Sequence, residues 1–238
     1  MRILEYFQQI YILNLPQRQD RRQEMDEQLR GIGLSLQIPG VRLFEAVRPD
    51  SPGNFPSIGA RGCFLSHLGM LRDAVSQNFE RILIFEDDLN FVPDFNERMT
   101  DVIATLKGED WSMFYGSYAM EPPPQPIAGK ALIQIKSTDS IRNSDFVSFR
   151  GPAIRQTVSY LETLMSRPAG DPAGGPMHVD GAYGRLRYEF PSIKTMLAAP
   201  PLGYQRSSRT DIHPLRWFDR TPVVRQTIGL LRKLRNKK

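Results

Sequence analysis

The chain has 238 residues, of which 40% are apolar and 24% charged, with a net charge of +5. That is ample for one large α/β domain with a buried core, and no apolar run reaches the length of a membrane span. A single cysteine, Cys63, excludes a disulfide framework and a zinc–cysteine cluster and fits a reducing compartment. The charge is uneven: Arg220 to Lys238 holds seven Lys/Arg and no acid, and the remainder carries 24 basic against 26 acidic residues. The basic character therefore belongs to the tail, which argues against a broad nucleic-acid footprint on the domain.

The opening MRILEYFQQIYILNLP has one early Arg, polar Gln8 and Gln9 and no small-residue cleavage site, so it is not read as a secretory leader, and a cytoplasmic protein is expected. Gln9 to Leu15 reads as a short strand buried on both faces. From Asp20 the spacing of Met25, Leu29 and Ile32 is helical, and Gly31 or Gly33 can end that helix. Gly40 to Val47 reads as a second strand, followed by a Pro/Gly/Ser-rich loop to about Gly59. Gly62 to Phe79 is predicted as a helix with Phe64, His67/Leu68, Leu71 and Ala74/Val75 as its stripe.

Arg81 to Phe85 is the next strand, and Pro93 suits the first turn of a helix ending near Gly108. Trp111–Tyr115, Ala131–Ile135 and Asp145–Phe149 read as strands, and Gly151–Met165 as a helix. The segment Ser166–Met177 has no periodicity and is expected to be a flexible loop. Val179–Tyr188 is predicted helical and Ile193–Ala199 a strand. Pro222–Lys238 reads as an amphipathic helix with Val224, Ile228, Leu231 and Leu234 as its apolar stripe.

The segment with most chemical content is Arg81-Ile-Leu-Ile-Phe-Glu-Asp-Asp88. An apolar strand there ends in three consecutive carboxylates, and in open α/β sheets ligands collect beyond the carboxyl ends of strands. Three acids in one place repel one another, and a divalent cation compensates them best. Their hard oxygens favour Mg²⁺ or Mn²⁺ over zinc. The bland reading is that they cap the next element or face water.

Three other segments can join them. After the first strand, Asn14, Arg18, Asp20, Arg21 and Arg22 can grip a nucleotide, or simply form a solvated helix start. Gly62-Cys-Phe-Leu-Ser66-His67 is expected to open a helix whose free N–H groups bind phosphate, with Ser66 and His67 adding hydrogen bonds; His67 equally suits a core position. In Gln205-Arg-Ser-Ser-Arg-Thr-Asp-Ile-His213, Asp211 or His213 can complete a metal's coordination, and Arg206 and Arg209 can stabilise a departing phosphate. Asp180, after the Gly/Pro-rich loop, is the best isolated acid for a general base, although Asp also serves well as a helix N-cap.

RILIFEDD also imitates the acid pair of response-regulator receiver domains. Those need a phospho-acceptor Asp at the end of a later strand, and the candidate strands Trp111–Tyr115 and Ala131–Ile135 end without one.

Taken together the segments resemble glycosyltransferase family 25, the lipooligosaccharide glycosyltransferases and their collagen-galactosyltransferase relatives. The resemblance rests on Ile12-Leu-Asn-Leu15 with Arg18 and Asp20-Arg21-Arg22, on Gly62-Cys63-Phe-Leu-Ser66-His67, and on Glu86-Asp87-Asp88. It extends more sparsely to Asp180, Pro201-Leu-Gly-Tyr-Gln205 and Ser208-Arg-Thr-Asp-Ile212. The middle, Gly116 to Met177, departs from the family pattern.

The resemblance implies a GT-A-like fold, a Rossmann-type mixed sheet flanked by helices, over residues 1–213, with a basic amphipathic tail over 214–238. It implies inverting transfer of a hexose, galactose or glucose, from a UDP-sugar to a bacterial surface glycan or glycolipid. Mn²⁺ or Mg²⁺ would be held by Glu86 and Asp88 with Asp211 or His213. The donor would lie among Asn14, Arg18, Asp20, Arg21, Gly62, Ser66, His67, Glu86, Asp87, Gln205, Arg206 and Arg209, and Asp180 would act as the base. The cationic tail then suits an anionic membrane surface. The rival readings are a nucleotidyltransferase on a similar sheet and a non-catalytic nucleotide- or glycan-binding module.

Overall fold

The computed structural model describes residues 3–206. The short helix α1 (Ile3–Tyr6) leads into β1 (Gln9–Asn14), α2 (Gln19–Gly31), β2 (Val41–Glu45), α3 (Ile58–Ser76), β3 (Arg81–Glu86) and β4 (Leu89–Phe91). There follow α4 (Phe95–Gly108), β5 (Met113–Tyr115), β6 (Leu132–Ile135), β7 (Phe146–Arg150), α5 (Pro152–Ser166), α6 (Val179–Glu189), β8 (Thr195–Ala198) and β9 (Gly203–Gln205). Seven strands form one sheet in the order β2-β1-β3-β7-β5-β8-β6, and β4 and β9 make a separate ribbon. β1 runs parallel to β2 and β3, and β5 to β8, whereas β3–β7, β5–β7 and β6–β8 are antiparallel. The chain is thus an α/β protein with a mixed sheet flanked by helices, as expected.

Every residue of β1 is buried, because helices cover both faces of the sheet. Ile10 and Ile12 meet Met25 and Leu29 of α2 and Ile103 and Leu106 of α4 on one side. Tyr11 and Leu13 meet Phe64, Leu68 and Leu71 of α3 on the other. Each such side chain contributes about 1.5–3 kcal/mol when fully buried, so the sheet is pinned from both sides.

Phe146 of β7 is ringed edge-on by Phe85 and Phe114, with Phe91 and Phe95 close by. A Cβ on Gly116 would lie 2.2 Å from the Phe146 ring, so only glycine leaves that ring its place.

From β1 the chain crosses by α2 to β2 on one side, then returns by α3 to β3 on the other side of β1. The carboxyl ends of β1 and β3 therefore lie together, with Leu13 opposite Glu86, where the connections diverge. That is where open α/β sheets form a ligand crevice.

Three expectations need correction. Helix α3 starts at Ile58, a turn before Gly62, because the Ser57 hydroxyl accepts the Ala60 N–H at 3.0 Å and caps it. The segment 166–177 is tied down: Arg167 donates to the carbonyls of Ala173 and Gly174, Arg185 donates to that of Pro172, and Gly174, Gly175 and Pro176 are buried. The ribbon of β4 and β9 was not anticipated at all. The tail 214–238 and its amphipathic helix lie outside the described residues. Among the described residues, no helix is long and apolar enough to cross a membrane.

Candidate active site

The three acids at the end of β3 fall into three different environments. Glu86 turns toward α3: its Oε1 accepts the Ser144 hydroxyl at 3.0 Å and lies 3.3 Å from His67 Nε2. Burial alone would raise this carboxyl, but His67, Ser144 and Arg21 outweigh it and hold it below the ordinary range. Asp87 turns toward the β1–α2 junction. Its two oxygens accept Asn14 Nδ2 at 2.7 Å and Arg21 Nη1 at 2.8 Å. Burial still raises it against those two partners.

Asp88 is the least compensated of the three. Its Oδ2 has Arg21 Nη1 at 3.4 Å and Gln205 Nε2 at 3.5 Å, and its buried Oδ1 has no partner among the described residues. Burial, opposed by Arg21 and reinforced by Glu86, Asp87 and Asp145, pushes it up to about 7.

The turn that presents these acids is braced by the end of β9. Arg206 donates from its backbone N–H to the Asp88 carbonyl, from Nη2 to the Asp87 carbonyl and from Nη1 to Asn90 Oδ1, and it pairs with Glu24 at 3.3 Å. With its guanidinium so engaged and only 8% exposed, Arg206 is placed to hold the turn rather than a phosphate. Arg18 forks onto Asp20 with two bonds of 2.9 Å, which hold that carboxyl down to about 2 and leave it facing solvent.

The Gly62 segment does not supply a phosphate-binding helix start. Gly62 lies in the second turn of α3, where a Cβ would stand 2.5 Å from the Val47 carbonyl, so its glycine serves close packing. The Ser66 hydroxyl donates to the Gly62 carbonyl at 2.6 Å and accepts the Val47 N–H at 2.8 Å. His67 is fully buried between Tyr183 Oη at 3.0 Å and Glu86. Of these two side chains, His67 reaches the acids, through Glu86.

Asp180 is the second residue of α6, whose N-cap position is taken by His178 without a side-chain capping bond to the helix. Its Oδ1 accepts the Gly181 N–H at 2.8 Å. Burial, then the charges of Glu86, Asp180 and Asp88, push the Cys63 thiol well up. Arg209, Asp211 and His213 lie outside the described residues.

Sequence reasoning missed Asp145. It stands just before β7, in the strand antiparallel to β3, and its carbonyl accepts the Glu86 N–H at 2.9 Å. Its Oδ2 accepts the Ser117 hydroxyl at 2.9 Å, and its buried Oδ1 has no partner among the described residues. Burial, then the charge of Glu86, raises it to about 7. Only the strand register separates this acid from an ordinary turn residue, and one sequence does not display that register.

Among the described residues one group of three donors lies close enough together to take a metal. Cys63 Sγ, a His67 ring nitrogen and a Glu86 oxygen all lie within 4.8 Å of one another. That is a soft set needing a thiolate, which the surrounding burial and negative charge oppose. The acid turn offers hard oxygens instead, the type Mn²⁺ and Mg²⁺ select. The buried Asp88 Oδ1, without a partner among the described residues, suits a hard divalent cation.

Residues 7–122, which span β1 to β5 and the acid turn, match glycosyltransferase family 25 (LPS biosynthesis protein). Through this stretch the chain is similar to glycosyltransferase family 25. Procollagen galactosyltransferase 1-B of Xenopus laevis is 24% identical over 166 residues, 61% of this chain and 27% of the relative. A glycosyltransferase 25 family member of Aedes aegypti is 34% identical over 97 residues, 40% of this chain and 15% of the relative. Inactive glycosyltransferase 25 family member 3 of Homo sapiens is 26% identical over 127 residues, 46% and 21% of the two chains. The chain thus spans roughly a quarter or less of the length of these curated relatives. Among solved structures, a glycosyltransferase involved in glycosylation of the major capsid of PBCV-1 overlays with a TM-score of 0.47 at 15% identity, over 85% of this chain and 94% of that one.

Proposed function

We propose that the chain is a divalent-metal-dependent hexosyltransferase that moves a sugar, galactose or glucose, from a UDP-sugar to a hydroxyl of a glycan or glycolipid acceptor, with inversion. The observation that carries this reading is the cluster of buried acids where β1 and β3 end, with Asp88 under-compensated and Asn14 and Arg21 alongside. Transfer from a sugar diphosphate builds negative charge on the leaving pyrophosphate. A cation held by Glu86 and Asp88, with Asp211 or His213 beyond the described residues, would supply Lewis-acid stabilisation there when bound.

The remaining work falls to the chain's own residues. Asn14 and Arg21 fix Asp87 and thereby the acid turn against α2, and Arg206 fixes the same turn against β9. Gln205 beside Asp88 and Arg209 further on would meet the diphosphate, and Arg18 with Asp20 would border the nucleoside. Asp180 would take the acceptor hydroxyl's proton on the side opposite the leaving group. A unit running to about residue 213, followed by a basic tail over 214–238 that meets an anionic inner-membrane surface, would place the enzyme in the cytoplasm beside lipid-linked acceptors of surface-glycan assembly.

The test is nucleotide release from a panel of UDP-, GDP- and CMP-sugars, with Mn²⁺ and with EDTA, for the wild type and Asp88→Asn. Mn²⁺-dependent UDP release from one UDP-sugar, lost in Asp88→Asn, is expected. Absence of both UDP binding and release refutes the transferase reading. A second reading, a non-catalytic family member, is favoured by one observation: relatives named inactive match much of the same region. It predicts nucleotide binding without release under every condition.

A further inference from the structure

Cys63 and His67 stand four residues apart on α3, so their side chains leave the helix on one face. That face meets the end of β3. Cys63 Sγ lies 4.0 Å from Glu86 Oε1, and His67 Nε2 lies 3.3 Å from the same oxygen. The three donor groups, sulfur, ring nitrogen and carboxylate oxygen, all fall within 4.8 Å of one another. The other side of the imidazole is fixed as well, with Nδ1 3.0 Å from Tyr183 Oη on α6. His67 and Tyr183 are fully buried, whereas Cys63 and Glu86 are half-buried, which leaves a way in from outside.

This spacing is that of metal ligands. A tetrahedral ion with bonds of about 2.3 Å to sulfur and about 2.1 Å to nitrogen and oxygen sets its ligand atoms about 3.4–3.6 Å apart. The nitrogen and the oxygen already stand 3.3 Å apart. The sulfur, at the end of a single rotatable bond, has only to turn inward. A histidine ligand needs its other nitrogen held. Here Nδ1–H donating to Tyr183 Oη leaves the Nε2 lone pair for the ion. In the metal-free chain, burial and then the charges of Glu86, Asp180 and Asp88 keep the thiol protonated. The same negative charge draws in a dication, and a coordinated thiol gives up its proton. Thiolate with imidazole selects Zn²⁺ over Mn²⁺ or Mg²⁺.

We propose that Cys63, His67 and Glu86 form a metal site of their own for a thiophilic dication, Zn²⁺, with a fourth position open to water. Binding forms bonds from the ion to Cys63 Sγ, His67 Nε2 and a Glu86 oxygen. The Cys63 proton passes to solvent, and His67 carries its single proton on Nδ1. Tyr183 is the positioning residue, since its hydroxyl sets that tautomer. The site stands without the transferase reading. Its consequence for turnover rests on that reading, because Glu86 also belongs to the acid turn. An ion on Cys63 and His67 withdraws Glu86 from the hard cation, so Zn²⁺ acts as an inhibitor.

The experiment is Co²⁺ and Zn²⁺ binding to the full chain. Co²⁺ reports a thiolate ligand by a sulfur-to-metal charge-transfer band in the near ultraviolet. The chain holds one cysteine, so that band in the wild type identifies Cys63 without any variant. The band is expected on adding Co²⁺ and should vanish as Zn²⁺ displaces it. Cys63→Ser should lack the band, bind Zn²⁺ more than about tenfold more weakly and lose the Zn²⁺-dependent rise in melting temperature. Its melting in EDTA checks that it folds. Tyr183→Phe should keep the band and weaken Zn²⁺ binding about tenfold. No band in the wild type, or Zn²⁺ binding by a folded Cys63→Ser within about twofold of the wild type, overturns the proposal. Nucleotide release in Mn²⁺ is scored separately. Added Zn²⁺ is expected to slow the wild type and spare Cys63→Ser, and equal inhibition of both overturns the inhibitory role. A wild type that shows the band but releases no nucleotide sinks the transferase reading and leaves the site standing.

Discussion

With metal removed, the protein should lose stability as the pH rises from about 4 to about 7, and Asp88→Asn should remove much of that loss. Asp88 is raised from an ordinary 3.8 to about 7, by burial above all, opposed by Arg21 and reinforced by Glu86, Asp87 and Asp145. Between those values the folded chain holds a proton that the unfolded chain has released. The stabilisation is therefore complete below the unfolded value and is lost as pH passes through the folded one. At about 1.4 kcal/mol per pH unit, a gap of about three units sets an upper bound of about 4 kcal/mol. Asp145 is raised by the same surroundings and shares the effect, so about 2 kcal/mol for Asp88 alone is the expected scale. Urea unfolding in EDTA at about pH 5 and about pH 8 measures it. The wild type should be the less stable at the higher pH, Asp88→Asn should narrow the difference, and added Mn²⁺ should restore the wild type at the higher pH only. A wild type equally stable at both values, or a variant whose pH dependence runs parallel to it, would refute the reasoning.

Removing the hydroxyl in Tyr183→Phe leaves His67 Nδ1 buried without its 3.0 Å partner, at a cost of about 1–3 kcal/mol read by chemical denaturation; no change in midpoint would contradict the pairing. Gly116→Ala places a methyl against the Phe146 ring and should cost about 1–3 kcal/mol or more, seen as a lowered melting temperature. Ser57→Ala should cost about 1 kcal/mol through loss of the α3 cap, without altering Mn²⁺ binding. Asp180→Asn should reduce transfer to an acceptor by about 10²–10⁴-fold while leaving Mn²⁺ binding intact; unchanged turnover would remove it as the base.

The parts legible in the sequence are those set by long apolar periodicity. β1 and β3 read as unbroken apolar runs because helices cover both their faces, and the stripe of α3 showed which side packs inward. Gly62 misled because a glycine at the head of an apolar stripe looks like a helix start, while the true cap, Ser57, sat in a stretch that composition marks as loop. β4 and β9 are three residues each and are held by one another across a long chain separation, so neither has a pattern of its own. Asp145 was hidden for a similar reason: only the antiparallel register of β7 against β3 makes it a neighbour of the acids.

The place of β7 in the sheet bears on the order in which the molecule can be made. β7 lies between β3 and β5, yet it is synthesised after both. A nascent chain that has emerged only as far as residue 122, the stretch matched to the family, holds β2-β1-β3 and a lone β5 with an open seam between them. Residues 146–150 act as the keystone: until they insert, β3 and β5 expose facing edges, the ring cluster lacks its central phenylalanine, and the acid turn lacks the wall that Asp145 provides. β8 enters later still, between β5 and β6, so the sheet is filled from within late in translation, and an isolated 7–122 fragment has no route to a closed sheet.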